Sequence, residues 1–133
     1  MNDTTPLATI AQDIAATAKR TGRRHDAVNL IAVSKTRSAD DIRPLLEEGH
    51  RHFGENRVGE AADKWPALRA DYPDVTLHMI GQLQSNKAED AAALFDMIHT
   101  VDRPSLIKAL GKRVAEGKPV PPCFLQVNIG EED

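Results

Sequence analysis

A parallel α/β fold follows from three features of this 133-residue sequence: five short apolar runs, amphipathic stretches between them, and connections of only a few residues. Strands so short and so apolar are expected to be buried on both faces, and parallel neighbours need a crossover helix. Repeated right-handed βαβ units follow. An open doubly wound sheet and a β/α (TIM-type) barrel satisfy this pattern equally.

Pro6 suits the first turn of a helix whose Leu7, Ile10, Ala11, Ile14 and Ala18 recur at three- and four-residue steps; it runs to about Arg20 and closes at Gly22. Leu30, Ile31, Ala32 and Val33 form the first strand. Asp40 or Asp41 caps a helix bearing Ile42, Leu45 and Leu46, with Pro44 tolerated in its first turn and Gly49 at its end. His50 to Gly54 is the second strand. Val58, Ala61, Ala62 and Trp65 then trace a helix that Pro66 must kink or restart. A turn at Tyr72, Pro73 and Asp74 precedes the third strand, Val75 to Ile80. Ser85 caps a helix through Ala88, Ala91, Ala92 and Phe95, and Met97 to Val101 is the fourth strand. Asp102 or Ser105 opens a helix with Leu106, Ile107, Leu110 and Val114 inward and Gly117 at its end. Pro119, Pro121 and Pro122 lead into the fifth strand, Phe124 to Ile129.

A composition of 41% hydrophobic, 28% charged and 4% aromatic residues is that of an ordinary globular domain, expected to occupy residues 1–133 as one unit. The formal net charge of -3 offers no basic surface for nucleic acid or anionic lipid. Neither a spanning run of 18 apolar residues nor a basic-then-apolar leader is seen, and the lone Cys123 reads as a buried, inert thiol. A cytoplasmic setting is expected.

Ligands of parallel α/β folds sit at the carboxyl ends of the strands, so the residues following each apolar run are the ones that matter. They are Ser34, Lys35 and Thr36; Glu55, Asn56 and Arg57; Gln82, Gln84, Ser85, Asn86 and Lys87; and Thr100, Asp102 and Arg103. Lys35 ends a strand expected to be buried, where partial desolvation favours the neutral amine and Schiff-base chemistry. The plainer alternative is a lysine that snorkels to water. Asn56 either meets a ligand through its amide or caps the next helix, and Ile80 to Lys87 either cradles an anion on helix amides or is capped without a ligand. His50 and His52 alternate along a strand, but two imidazoles without a carboxylate or thiolate make no metal site. The sequence lacks GxxxxGK, GxGxxG and GxSxG.

Taken in order, LIAVSKT at 30–36, FGENRVGEAADKW at 53–65, HMIGQLQSNK at 78–87, HTVDR at 99–103 and QVNIGEED at 126–133 resemble the pyridoxal-phosphate homeostasis proteins. The resemblance implies a β/α barrel of the alanine racemase N-terminal type that binds pyridoxal 5'-phosphate and has no established reaction of its own. It implies that Lys35 holds the cofactor as a Schiff base, that Asn56 lines the pocket, and that His78, Ile80 and Gln82 mark a third strand end approaching it. It also implies delivery of the cofactor to apo pyridoxal-phosphate enzymes.

Such a barrel has eight strands and ~250 residues, whereas this sequence supplies five. The family's phosphate-binding Ser/Thr and its arginine partner of the pyridine nitrogen belong to the later strands. A truncated record is therefore expected, or failing that a second polypeptide that completes the barrel, with an apolar edge left on the fifth strand. The competing functions are a racemase, for which Tyr72 is the only tyrosine available as second acid/base, a lysine-dependent aldolase, and a non-catalytic interaction module.

Overall fold

Thr5 begins the first element of the computed structural model, which describes residues 5–130, by accepting the Ala8 amide on its hydroxyl at 3.1 Å. With Pro6 in the first turn and Lys19 and Arg20 complementing the helix dipole in the last, α1 spans Pro6–Arg20, and Gly22 at φ +72° turns the chain out of it. Packing divides the chain into two units, one ending at Ile31 and the other beginning at Ala32.

The second unit contains β1 (Ala32–Val33), α2 (Ala39–Glu47), β2 (His52–Glu55), α3 (Val58–Asp71), β3 (Thr76–Met79), α4 (Ala88–Leu94), β4 (Met97–Val101), α5 (Pro104–Ala115) and β5 (Cys123–Leu125). All neighbouring strands pair in parallel, in the order β1-β2-β3-β4-β5. Each strand is laid beside its predecessor in a constant direction, so same-handed crossovers put successive helices on one face; α2 touches α3, α3 touches α4, and α4 touches α5. A doubly wound sheet would reverse its strand order, so this order is that of a β/α barrel.

On the helix side, Phe53, Leu77 and Ile98 are fully buried beneath Leu46, Trp65, Leu68 and Leu106. Phe53 and Trp65 lie with ring centroids 5.1 Å apart, and each large apolar side chain removed from water contributes about 1.5–3 kcal/mol.

Several elements differ from the sequence reading. The first strand is only two residues long and is an edge among the described residues, so Val33 is 53% exposed where burial on both faces was expected. The α2 cap is Ser38, in a reciprocal capping box with Asp41, which puts Pro44 beyond the first turn. Helix α3 passes through Pro66 without a break, because burying Trp65 and Leu68 on one face outweighs the one amide the proline lacks. Ser85 caps nothing: residues Ser85–Lys87 form a 3-10 turn, and the Ser85 hydroxyl donates to that of Ser105 at 2.9 Å. Arg103 precedes α5 in place of a side-chain cap, and Ile107 and Val114, expected inward, are exposed. The fifth strand ends at Leu125; Phe124, Leu125, Val127 and Ile129 are all more than half exposed, as an apolar edge requires, and Cys123 is exposed instead of buried. The last acidic residues of the fifth motif, 131–133, lie outside the described residues. No helix among the described residues is long and apolar enough to cross a membrane.

Candidate functional site

The β1 tip is tied to β2 by the Ser34 amide, which donates to the Gly54 carbonyl at 2.9 Å. Lys35 follows and is exposed, with no hydrogen bond or ion pair to its amine among the described residues. The partial dehydration expected of this amine is absent, because a strand end is dehydrated by neighbours on both sides and β1 has β2 alone. Next, Thr36 adopts a left-handed backbone at φ +61°, unusual for a β-branched residue. Its amide donates to both oxygens of Glu60, at 2.6 and 3.2 Å.

Beneath this turn, on the helix side of the sheet, Glu55 is completely buried. Its Oε2 accepts from the Ser34 hydroxyl and from Trp65 Nε1 at 3.1 Å, and pairs with Lys64 Nζ at 3.0 Å. The same ammonium donates to the carbonyls of Ser34 at 2.7 Å and Arg37 at 2.8 Å, and lies 3.6 Å from Glu60. Glu55 Oε1 has no hydrogen-bond partner among the described residues. A buried charge is tolerable only when paired and hydrogen-bonded, and here every tie leads to the segment flanking Lys35 or to α3.

The β2 and β3 ends enclose a cavity of about 600 Å³ whose lining includes Asn56, Arg57, Gly81, Gln82, Gln84 and Lys87. Asn56 is half-buried there and Gln82 is exposed. Gly81 is required by contact: a Cβ on it would lie 2.5 Å from the Asn56 carbonyl oxygen, so any other residue displaces Asn56. The Ile80 amide donates to the Glu55 carbonyl at 3.0 Å, fixing the two tips against each other.

The opposite face of the sheet carries a row of imidazoles. His52 Nδ1 lies 3.1 Å from His78 Nε2, and His78 Nδ1 lies 2.9 Å from His99 Nε2. Phe124 flanks the far end, its ring 5.0 Å from that of His99. His78 is buried and its pKa falls to about 4, chiefly from desolvation, then from His99 and His52, against an opposing pull from Asp96. Burial lowers the pKa of His99 as well. His78 and His99 are thus favoured neutral, each imidazole offering one donor and one acceptor to a continuous chain.

Among the residues singled out by sequence, Asn56 and Gln82 share a cavity, Ile80 braces the tips, and Lys35 stands at the first tip outside that cavity's lining. His78 belongs to the imidazole row. His52 partners His78, and no set of three or more His, Cys, Asp or Glu side chains among the described residues can hold a metal ion. The anion cradle expected at Ile80 to Lys87 loses its helix, since Ser85 starts a 3-10 turn and α4 has only seven residues. Glu55 is the last residue of β2 facing the helices, not a residue of the loop. The sequence reading missed Lys64 and Trp65 as its partners, and Glu60 as a further partner of Lys64; the signal was an acid closing a strand directly after Gly54, which needs a cation from a neighbouring helix.

Comparison with known proteins places this geometry in context. Residues 7–132 match the family described as alanine racemase, N-terminal domain. The pyridoxal phosphate homeostasis protein of Vibrio cholerae is 38% identical over 129 residues, 92% of this chain and 53% of that protein. Its Escherichia coli K12 counterpart is 39% identical, over 96% of this chain and 55% of that protein. The structure of PipY from Synechococcus elongatus with pyridoxal phosphate bound superimposes with a TM-score of 0.74 at 43% identity, covering 90% of this chain and 56% of that one. The chain therefore spans about half the length of the relatives it matches.

Proposed function

The chain belongs to the alanine racemase N-terminal domain family, and from that membership we propose that its protein binds pyridoxal 5'-phosphate and serves in the homeostasis of that cofactor, with Lys35 as the covalent anchor. The observation that carries the reading is the Lys35 amine itself: unpaired among the described residues, and placed at the carboxyl end of the first strand.

The residues present fit such a group. When bound, the cofactor supplies an aldehyde that condenses with a primary amine, losing water, and that can be passed to an incoming amine by exchange. The chain's own residues hold and orient. Ser34 and Thr36 fix the backbone on either side of the anchor, while Asn56 and Gln82 offer amides to the polar periphery of a ring. His78 and Ile80 sit behind them, the first neutral in the imidazole row and the second bracing the strand ends. We read residues 1–133 as the N-terminal portion of such a barrel, and the phosphate clamp as the work of later strands. A cytoplasmic site of action, with apo pyridoxal-phosphate enzymes as recipients, belongs to the same reading.

The position of Tyr72 removes it as the second acid/base that a racemase would need at Lys35. It ends α3 at the amino-terminal end of the strands, with the Arg51 guanidinium 5.0 Å from its ring centre, away from the Lys35 tip. It cannot deliver a proton to a group held there.

The test uses the complete protein incubated with pyridoxal phosphate, reduced with borohydride and mapped by peptide mass. The expected result is cofactor mass on the peptide containing Lys35 and its loss in Lys35→Ala. Labelling of other lysines with Lys35 unmodified would overturn the assignment.

A further inference from the structure

We propose that Glu55, Lys64 and Glu60 form a clamp that positions the Lys35 amine, holding the strained turn after β1 in the one backbone conformation that presents it. The inference rests on Lys35 being the cofactor anchor and assigns these three as positioning residues, none touching the cofactor. Backbone strain and buried charge meet at this turn.

The first is strain. Thr36 sits at φ +61°, a conformation that a threonine holds only when its surroundings compel it, and strain of this kind clusters where geometry matters. The compelling contact is Glu60, whose two carboxylate oxygens both receive the Thr36 amide. Threonine's own hydroxyl donates to the Lys35 carbonyl at 2.6 Å, closing the turn locally.

The second is burial of charge. Lys64 is nearly inaccessible and makes four contacts that all serve the turn: the carbonyls of Ser34 and Arg37, which bracket Lys35 and Thr36, and the carboxylates of Glu55 and Glu60. Glu55 in turn receives the Ser34 hydroxyl and the Trp65 indole N–H. A buried ion pair is no bargain in stability, since an apolar pair of similar volume would serve as well or better. A buried pair that holds two main-chain carbonyls and the Ser34 hydroxyl, beside a Glu60 that holds the strained amide, is instead suited to fixing geometry. The ammonium donates to both carbonyls, so the turn cannot relax outward without leaving Lys64 short of acceptors.

The experiment uses the complete protein and two readouts. The first does not involve the cofactor: trace acetylation of Lys35 across pH, measured by peptide mass relative to the exposed Lys108 and Lys112. The second is the rate of pyridoxal phosphate trapping on Lys35 by borohydride. Glu60→Ala is expected to change the acetylation rate of Lys35 at least about threefold and slow trapping by about tenfold, the order that small misplacement of a reacting group produces. Glu60→Gln, which keeps an acceptor for the Thr36 amide, restores most of both. Lys64→Met gives the larger change; should it fail to fold, the Glu60 pair decides, because that side chain is partly exposed.

Acetylation and trapping within twofold of the parent protein in folded Glu60→Ala would overturn the clamp, as would failure of Glu60→Gln to recover them. If the parent protein traps no cofactor on Lys35 but acetylation responds as expected, the clamp stands and the anchor assignment falls.

Discussion

The two faces of the same three strands handle polar groups in opposite ways. Towards the helices, β2 ends in a carboxylate with no solvent contact, neutralised by Lys64 and hydrogen-bonded by Ser34 and Trp65. On the other face the polar groups are the imidazoles of His52, His78 and His99, which bond to one another; desolvation favours the neutral form of His78 and His99, and repulsion from its neighbours adds to the effect at His78. A permanent charge must be matched by another, whereas a group that titrates near neutrality avoids the cost by giving up its proton. The first face therefore depends on a partner side chain and the second on pH.

The sharpest way to break the comparison is to remove the partner. Lys64→Met leaves Glu55 buried and uncompensated, which costs about 3–5 kcal/mol. Urea denaturation should show that loss, and Glu55→Met combined with Lys64→Met should recover most of it, since an apolar pair needs no compensation. A single substitution costing less than about 1 kcal/mol would mean that water reaches the carboxylate, against the complete burial seen here.

The second face should respond to acid. With the folded pKa of His78 at about 4 against an ordinary value near 6.5, the unfolded chain binds the extra proton first as pH falls. The contribution of neutral His78 is complete above about pH 6.5, declines between there and about pH 4, and falls no further below it. Its size is roughly 2 kcal/mol, once screening by solvent on the uncovered side of the sheet is allowed for. Carboxylates titrate in the lower part of that window, so the measurement is the difference in urea stability between the parent and His78→Asn at each pH. That difference should shrink as pH falls from 7 to 4; a difference independent of pH would remove His78 as its source.

The same contrast explains what the sequence made legible. Met97–Val101 could be delimited to the residue, because a run without acidic residues and rich in β-branched side chains lies between Asp96 and Asp102. Lys35 was singled out by its position at the end of an apolar run, and its role as anchor came from the family resemblance. Glu55 was not, because its role depends on Lys64 and Trp65 in the next helix, and a residue following an apolar run reads as solvent-facing until a cation is seen behind it. Strand register hid the imidazole row. Gly54 is the residue beside His78, so the contact with His52 is diagonal across β2 and β3, and only register brings it about. Burial of β1 was misread for a related reason: apolar composition signals a strand made for two neighbours, and only one is present among the described residues.

The smallest effect concerns the end of the row. His52 is half-buried, and its contribution to lowering the His78 pKa ranks below desolvation and below His99. Replacing it in His52→Gln removes that repulsion but leaves an amide able to bond His78, so stability at pH 7 should change by less than about 1 kcal/mol. What should move is the titration itself. Without a neighbouring imidazole to repel its proton, His78 accepts one more readily, and its midpoint rises from about 4 towards the ordinary value. The destabilisation on acidification then saturates at a higher pH and totals less. Following the His78 ring proton by NMR in both proteins resolves this directly. An unchanged or lower midpoint would show that His52 meets His78 only as a hydrogen-bonding group, leaving burial and His99 to account for its neutrality.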